Sequence, residues 1–265
     1  AEGCPAHCQY CYLAGSLTGP PVTRVYADLD DILDNLGEYA GRGTITSRRA
    51  ARQDEGTTFE ASCYTDPLAL EHLTGSWRRA VEHFGDWEAP VQLRWTTKFD
   101  DVGSFVGLPH AGRTRVRFSV NCLPVTTRFE GGTSRLADRL AALRTLALDG
   151  YPVGLTLAPI MALPDWRLHY GELLNEIATA VEGVPDLDLT AELITHRFTP
   201  GSKEVLLDWY PRTKLEMDEQ TRVSKRGKFG AVKYVYPTET MADLRFWFER
   251  HIAERLPSCR ILYWT

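Results

Sequence analysis

Along the chain, from about Thr57 onward, short apolar runs alternate with longer amphipathic stretches. This alternation is typical of strand–helix units repeated around a parallel sheet. The apolar runs predict strands over residues 57–63, 91–97, 115–121, 152–158 and 187–194. The amphipathic stretches predict helices over residues 66–84, 135–149 and 165–181. We therefore predict an α/β fold that is built on a parallel sheet.

The pattern changes after Ile194, where basic and aromatic residues become frequent. A strand-like run over residues 232–236 follows a basic stretch and predicts a β-hairpin. A helix over residues 238–255 and a strand over residues 260–264 are predicted to close the chain. We therefore divide the chain into a parallel-sheet segment, residues 1–195, and a C-terminal extension, residues 196–265, that packs on it.

The composition narrows the class of protein. Hydrophobic residues make up 43% of the 265 residues and charged residues 25%, as in ordinary globular domains. The apolar runs stay well short of the roughly 18 residues that a membrane-spanning helix needs. A formal net charge of -5 argues against a protein that coats nucleic acid through bulk charge, but it is compatible with a local basic patch.

The six cysteines are too few and too clustered for a disulfide scaffold in a chain of this length. Their spacing predicts a metal site in a reducing compartment, the cytoplasm. The chain starts with Ala1-Glu2-Gly3, without a methionine and without an apolar signal segment. We therefore expect the natural protein to begin further upstream.

Three of the cysteines form a C-x3-C-x2-C run: Cys4, Cys8 and Cys11. Three thiolates from one loop can hold three irons of a cubane iron–sulfur cluster. The fourth iron is then open to chelate a small molecule, as in the radical chemistry of S-adenosylmethionine (SAM). A zinc site with His7 or a distant histidine as fourth ligand is the alternative. Zinc sites favour paired C-x2-C knuckles, however, and the chain has no second pair.

Several stretches together resemble the spore photoproduct lyase family of radical SAM enzymes. The C-x3-C-x2-C run, with Tyr10 before its last cysteine, resembles the signature of the whole superfamily. The stretches follow the family's order from Gly3 to the last residue: Gly3-Cys4 to Leu13, Arg24-Val25-Tyr26, Leu29-Asp30, Phe59-Glu60-Ala61-Ser62-Cys63, Thr97-Lys98, Arg117-Phe118-Ser119-Val120-Asn121, Ala158-Pro159-Ile160, Glu192-Leu193-Ile194, His196-Arg197-Phe198-Thr199, Lys233-Tyr234-Val235-Tyr236 and Tyr263-Trp264-Thr265.

The resemblance implies a partial (β/α)6 TIM-type barrel with a C-terminal β-hairpin and helix extension. It implies a DNA repair lyase that reverses the spore photoproduct, 5-thyminyl-5,6-dihydrothymine, to two thymines by 5′-deoxyadenosyl radical chemistry. Cys4, Cys8 and Cys11 would ligate a 4Fe-4S cluster, whose open iron holds SAM. The residues implied to bind SAM are Tyr10, Tyr12, Thr65, Lys98, Ser119, Asn121 and Ala158.

Cys63 matches the family's hydrogen-atom donor to the thymine radical that remains after the methylene bridge breaks. A thiol suits this role because its S–H bond is weak. Tyr10 and Tyr12 match tyrosines that would bind SAM or carry the radical back from the thiyl. In a parallel barrel, chemistry collects at the C-terminal ends of the strands, where Cys63 is predicted to lie.

The basic hairpin is implied to contact DNA and to place a wedge beside the extruded base pair. Its implied DNA-binding residues are Arg197, Lys228, Phe229, Lys233 and Tyr234. The family form carries Arg-Tyr where this chain has Lys228-Phe229, so the bidentate guanidinium is lost. Tyr64, after the donor cysteine, also replaces a small residue. These departures bear on the identity of the substrate more than on the chemistry.

We expect damaged double-stranded DNA as the partner, a reducing electron donor such as flavodoxin or ferredoxin, and a monomer. Two alternatives stay open. One is a radical SAM enzyme that acts on a different nucleobase or on a peptide. The other, of a different class, is a non-catalytic binding module that a metal stabilises.

Overall fold

The computed structural model describes residues 1–11, 22–42, 56–61, 63–227, 230 and 232–265. In these ranges the strands are β1 (His7–Cys8), β2 (Thr57–Glu60), β3 (Val91–Thr97), β4 (Thr114–Val120), β5 (Glu130–Gly131), β6 (Val153–Ile160), β7 (Leu189–Thr195), β8 (Val223–Arg226), β9 (Val232–Val235) and β10 (Arg260–Trp264). The helices are α1 (Leu29–Asn35), α2 (Glu71–Thr74), α3 (Ser76–Asp86), α4 (Leu123–Phe129), α5 (Leu136–Leu148), α6 (Trp166–Val181), α7 (Pro200–Trp209) and α8 (Thr238–Arg255). None of these helices is long and apolar enough to cross a bilayer.

Six of the described strands form one parallel sheet in the order β10-β7-β6-β4-β3-β2. The sheet is curled into a half-barrel, so the predicted partial TIM-type barrel is confirmed. The five strands predicted between residues 57 and 194 are all present, with ends that differ by at most three residues. The hydrophobic runs located them because parallel strands are buried on both faces.

The two faces of the sheet differ in chemistry, because successive side chains of a strand point to opposite faces. In β4, Val116 and Phe118 belong to the hydrophobic core, which the helices cover. Arg115 and Arg117 alternate with them and make ion pairs instead. The sheet therefore has an apolar face toward the helices and a polar face on the other side.

The single helix predicted over residues 66–84 is wrong. The segment forms a 3-10 turn at Leu68–Leu70, helix α2 and helix α3. Gly75 separates the two helices with a φ of +58°, a left-handed conformation that favours glycine. The Glu71 carboxylate accepts the backbone N–H groups of Trp77 and Arg78 at 2.9 and 3.0 Å, so it caps α3 from the preceding helix.

The C-terminal strand β10 lies in the six-stranded sheet. It pairs in parallel with β7, with Arg260 opposite Thr190 and Trp264 opposite Leu193. Helix α8 packs on α6, where the Trp166 and Trp247 rings meet edge to face at 5.3 Å. The extension thus contributes a strand to the barrel sheet, and the division at residue 195 stays a prediction.

Candidate active site and hairpin

The loop that carries the three clustered cysteines is fixed to the segment after α4. Strand β1 pairs antiparallel with β5, with Cys8 opposite Glu130 and His7 opposite Gly131. The Gln9 N–H donates to the Phe129 carbonyl at 2.8 Å. Backbone pairing therefore holds the loop in place from a distant part of the chain.

The thiols of this loop lie close enough to influence one another's ionisation. Burial raises the pKa of Cys4 to about 11 and that of Cys8 to about 12, and the neighbouring thiols add to both shifts. Lys98 opposes the shift at Cys8. Three thiolates in such a place need a strongly positive partner, because burial disfavours their charge.

The donor set fits an iron–sulfur cluster better than a single metal ion. Over the described ranges, no three His, Cys, Asp or Glu side chains are grouped as ligands of one ion. In a cubane cluster each thiolate binds its own iron, so the three sulfurs need not share one coordination shell. The chemistry of the three thiolates of Cys4, Cys8 and Cys11 therefore fits a 4Fe-4S cluster.

Tyr10 is partly buried and is joined to a chain of charged partners. Its hydroxyl donates to the Glu130 carboxylate, which pairs with Arg139 at 2.6 Å. Lys98 Nζ lies 5.6 Å from the centroid of the Tyr10 ring. Burial and the Glu130 charge raise the pKa of Tyr10 well above its usual value. Burial also acts to raise the pKa of Glu130, but Lys98 and Arg139 together lower it.

Lys98 follows β3 and links the cysteine loop to the sheet. Its ammonium donates to the Ser119 hydroxyl, and its backbone N–H donates to Asp66 Oδ2 at 2.7 Å. Asp66 also accepts the Thr97 hydroxyl at 2.6 Å, so it ties the loop after β2 to the end of β3. Burial raises the pKa of Asp66.

Thr65 presents an unused polar atom beside this group. Its side chain is buried, and its hydroxyl finds no hydrogen-bond partner within the described part of the chain. A buried hydroxyl without a partner is costly, so it is a natural contact for a polar ligand. Thr65 thus offers an atom that a bound cofactor can satisfy.

Both polar atoms of the Asn121 side-chain amide form hydrogen bonds with other groups of the protein. Its Nδ2 donates to the Pro159 carbonyl at 2.7 Å, and its Oδ1 accepts the Tyr170 hydroxyl at 3.0 Å. Tyr170 in turn accepts the Met161 N–H at 2.8 Å. These bonds position the end of β6, which contains Ala158.

Cys63 lies just beyond β2 and is exposed. Its thiol is 3.8 Å from the Glu60 carbonyl. Burial raises the pKa of Cys63 and the Glu60 charge raises it further, while Arg117 acts in the opposite direction. The protonated thiol, the form that carries a hydrogen atom, is therefore favoured.

An ion-pair network crosses the polar face of the sheet near Cys63. Arg94 pairs with Glu60 at 2.6 Å, and Arg117 pairs with both Glu60 and Glu192. The Arg117 side chain reaches Glu192 of β7 by passing over Gly154 of β6. A Cβ at Gly154 would lie 2.7 Å from Arg117 Cγ, so a larger residue there would obstruct the pair.

The hairpin brings three cations together. Lys225 of β8 lies opposite Lys233 of β9. Burial lowers the pKa of Lys233, and the charges of Arg197 and Lys225 lower it further. Arg197 donates to the Thr265 hydroxyl at 3.1 Å, but its Nη2 is buried without a partner in the described residues. Like charges opposite each other in a ladder are destabilising, so this cluster favours an anion.

Tyr234 joins the hairpin to the barrel. Its backbone exchanges two hydrogen bonds with Phe198, at 2.8 and 3.2 Å, and the two rings stack 5.3 Å apart. A hydrogen bond to Glu219 raises the pKa of the Tyr234 phenol. The Tyr234 hydroxyl therefore already has an acidic hydrogen-bond partner within the protein.

The family model described as spore photoproduct lyase matches residues 1–265. This chain belongs to the spore photoproduct lyase family. Spore photoproduct lyases of Geobacillus sp. and Bacillus subtilis are 41% and 39% identical to it over 265 residues, all of this chain and 75% of each relative. A solved spore photoproduct lyase variant with bound AdoMet and dinucleoside spore photoproduct is 40% identical, with a TM-score of 0.91, over 100% of this chain and 75% of that one.

The family resemblance predicted from the sequence is confirmed, and so is the prediction of a radical SAM lyase. SAM and a 4Fe-4S cluster are the cofactors of such an enzyme. Membership in the spore photoproduct lyase family also excludes the non-catalytic binding module as an account of this chain.

The structure brings most predicted site residues to one end of the sheet. Cys4, Cys8, Tyr10, Lys98 and Ser119 are linked by the contacts and charges described above. Thr65 and Cys63 lie in the adjoining loop, and Asn121 and Ala158 follow on the next strands. Arg197, Lys233 and Tyr234 lie at the hairpin. Tyr12, Lys228 and Phe229 fall outside the described residues. The roles of all these residues stay predictions.

Sequence reasoning missed Asp66, Glu130 and Arg139. Asp66 had a local signal, because it stands next to the predicted cofactor residue Thr65. Glu130 had none, because it lies 120 positions from Tyr10 and only the fold brings the two together. Charge pairs between distant strands and loops leave no pattern in a single sequence.

His196 yields a prediction about stability and pH. Burial lowers its pKa to about 3, and the neighbouring Arg222 adds to the shift. Between about pH 3 and pH 6.5, His196 binds a proton in the unfolded chain but not in the folded one. The free energy of unfolding therefore falls as the pH falls through this window. We expect the free energy of unfolding to lose ~1.4 kcal/mol per pH unit from this group between about pH 6 and pH 4.

Urea unfolding of the wild type and of His196→Asn across this pH range measures the effect. The variant keeps an acceptor but cannot be protonated, so its pH slope should be shallower by that amount. Equal slopes in the two proteins would show that His196 does not control this part of the pH dependence.

Proposed function

We propose that this chain repairs spore photoproduct in DNA, returning the lesion to two thymines, with Cys63 as hydrogen-atom donor. When bound, the cluster and SAM supply the 5′-deoxyadenosyl radical that removes hydrogen from C6 of the damaged thymine. The observation that carries the proposal is the cysteine loop fixed beside Lys98 and Tyr10, with Cys63 in the adjoining loop, in a chain of this family.

Cys63 completes the chemistry of the lesion. The allylic thymine radical takes the hydrogen atom of the thiol, so that the S–H bond breaks, a C–H bond forms and a thiyl radical remains. The raised pKa of Cys63 supports this role, because the thiolate has no hydrogen atom to give. The exposed thiol is also accessible to a base that is held at the mouth of the barrel.

The thiyl must recover a hydrogen atom before the next turnover. We assign this relay to Tyr10 and Tyr12, which would give a hydrogen atom to the thiyl and recover one from the 5′-deoxyadenosine, so that the radical returns to the cofactor. Tyr10 is supported by its place beside Lys98 and by the hydrogen bond that fixes its hydroxyl on Glu130. Only a tyrosine held in one orientation can exchange a hydrogen atom over a defined distance.

The cofactor-binding roles rest on polar groups that face the cysteine loop. Cys4, Cys8 and Cys11 would hold the cluster. Lys98 and Ser119 would bind polar groups of SAM. The Thr65 hydroxyl, which has no hydrogen-bond partner among the described residues, would accept or donate one further bond. Ala158 would contact the adenine through its backbone, and Asn121 would act by positioning that segment.

Damaged double-stranded DNA would meet the hairpin. The Arg197, Lys225 and Lys233 cluster supports a phosphate contact, because an anion would relieve the repulsion between the opposed lysines. Lys228 and Phe229 would enter the duplex beside the extruded bases. Tyr234 would also contact the DNA, from its place in β9 against the Phe198 ring.

Replacing Lys233 with alanine is expected to weaken binding to duplex DNA. The slope of log Kd against log salt should become shallower by about one unit, because one phosphate contact is lost. Fluorescence anisotropy at several salt concentrations measures the slope. Arg250→Ala is the matched control, because Arg250 is an exposed cation of α8 paired with Glu254. A slope equal to that of the wild type would refute the phosphate contact.

Three further assignments complete the proposal. A reducing partner such as flavodoxin or ferredoxin would deliver the electron, the cytoplasm would be the compartment, and the enzyme would act as a monomer. The reducing compartment is supported by the six cysteines, which are too few and too clustered for a disulfide scaffold, with three of them in the proposed ligand loop.

The decisive experiment is anaerobic reconstitution with iron and sulfide, followed by dithionite, SAM and a synthetic spore-photoproduct dinucleotide. Mass spectrometry would then follow the thymine–thymine product. Its formation is the expected result. Release of 5′-deoxyadenosine with an intact lesion would contradict the substrate, but not the radical SAM chemistry.

One observation favours a second candidate, a different nucleobase lesion. Tyr64 follows the proposed donor directly, and 54% of its surface is exposed. A bulky aromatic ring beside Cys63 would alter the shape of the space that the reacting base occupies. The same assay with other thymine dimers as substrates separates the two candidates.

A further inference from the structure

Arg222 is an almost completely buried arginine at the foot of the hairpin. It immediately precedes β8, and its side chain is 1% exposed. The guanidinium pairs with Glu216 and donates to the His196 carbonyl at 3.2 Å. Its Cζ lies 3.8 Å from the centroid of the Tyr236 ring. One side chain therefore meets an acid, a carbonyl and an aromatic face at the same time.

These contacts join both ends of the hairpin to the barrel. Arg222 leads into β8, and Tyr236 follows β9. His196 follows β7, and its N–H donates to the Ile160 carbonyl of β6 at 2.8 Å. The Tyr236 hydroxyl accepts the Ala162 N–H at 3.1 Å. Arg222 thus lies at the start of the hairpin and contacts Tyr236 at its end. It also contacts His196, which lies where β6 and β7 end.

The protonation of His196 fits this arrangement. Arg222 Nη2 lies 3.3 Å from His196 Nδ1. A guanidinium only donates hydrogen bonds, so Nδ1 must be the unprotonated acceptor and the ring must be neutral. The contact is therefore a hydrogen bond from Arg222 to His196, and it helps to orient the guanidinium.

The hairpin strands contribute little burial of their own. All four residues of β8 are exposed, and those of β9 are only partly buried. A two-stranded hairpin is marginally stable in water by itself. In the described residues, the hairpin is joined to the barrel by the Phe198–Tyr234 pairing, by the hydrogen bond between Tyr236 and Ala162 and by the contacts of Arg222.

We propose that Arg222 is a positioning residue that docks the hairpin on the barrel and so presents Lys225 and Lys233 to DNA. The proposal rests on the DNA-binding role of the hairpin given above. If only the docked hairpin binds duplex, the apparent Kd rises in proportion as the docked fraction falls. A dinucleotide lesion offers no flanking duplex, so its turnover is independent of docking.

Arg222→Met removes the charge and the hydrogen bonds but keeps much of the volume. Arg222→Lys keeps the charge without the planar fork, and Arg250→Met is the matched surface control. We expect Arg222→Met to weaken binding to a lesion-containing duplex about tenfold or more, because the apparent Kd rises tenfold when the docked fraction of the hairpin falls tenfold. Arg222→Lys should fall between Arg222→Met and the wild type, and dinucleotide turnover should stay within about twofold of the wild type.

Limited trypsin digestion tests docking without DNA or cofactors. Cleavage after Lys225 and Arg226 should be faster in Arg222→Met than in the wild type and the control, while the barrel stays protected. This result would support docking by Arg222 even if Lys233→Ala showed that the hairpin does not bind DNA. The failure of the proposed DNA role is thereby separated from the failure of this inference.

Two outcomes would overturn the inference. One is unchanged tryptic cleavage of the hairpin together with unchanged duplex affinity in Arg222→Met. The other is a parallel loss of dinucleotide turnover and duplex affinity in both Arg222 variants, with earlier thermal unfolding. That pattern would mean that Arg222 supports the barrel as a whole.

Discussion

Replacing Cys63 with alanine is expected to leave SAM cleavage intact and to lower formation of the thymine–thymine product by about 100-fold, equivalent to ~2.7 kcal/mol of barrier. The thiol is used only after the lesion radical has formed, so the earlier steps do not need it. Without the donor, the thymine radical persists until it reacts with another molecule. Mass spectrometry of 5′-deoxyadenosine and of the dinucleotide products in the same reaction measures both quantities.

Cys259→Ala is the matched control for this experiment, because Cys259 packs against the hydrophobic core away from the proposed site. It should repair the lesion as the wild type does. Adducts of the trapped radical should accumulate only in the Cys63 variant. If Cys63→Ala formed the repaired dinucleotide at the wild-type rate, another group would have to be the hydrogen donor.

Loss of a cluster ligand should have a larger effect still. In Cys8→Ala, we expect reconstituted protein to lack the visible absorption of the cluster and to cleave SAM only at the level of cluster-free protein. Cys8 is buried and its backbone is fixed opposite Glu130, so the loop cannot move a replacement ligand into its place. Iron content, the visible spectrum and 5′-deoxyadenosine release are the measurements.

Cys122→Ala controls for the removal of a buried thiol elsewhere. Cys122 is 1% exposed and belongs to the hydrophobic core, so its loss should cost stability but not iron. Retention of a full cluster in Cys8→Ala would contradict the assignment of the three ligands. Loss of iron in both variants would show only that the fold tolerates neither change.

Charged residues of the polar face of the sheet lie near Cys63, the proposed hydrogen-atom donor. Glu60, Arg94, Arg117 and Glu192, which come from four strands, pair with one another. Arg94, Arg117 and Glu192 are buried, so removing one of them leaves an uncompensated buried charge, which is far more costly than the loss of a surface pair. The network therefore holds the strand ends rigid beneath the reacting groups.

The strands and most helices could be predicted from the sequence because their signal is local. Strand β3 and helix α8 were predicted with the bounds that the structure shows. Helices α1, α4 and α7 were missed because they are short and lack a long amphipathic pattern. The break at Gly75 was missed because a glycine in a helical pattern indicates either a tolerated residue or a helix end.

The sequence by itself determined the strand–helix alternation and the cysteine run, whose signals are local, and the family, through short motifs that follow one order along the whole chain. Only the tertiary structure placed Glu130 on Tyr10, Asp66 between two strand ends and Arg222 beneath the hairpin. The physical reason is that a buried charge must be compensated by whichever group the fold brings near it. That group is chosen by packing in three dimensions, and its distance along the chain is arbitrary.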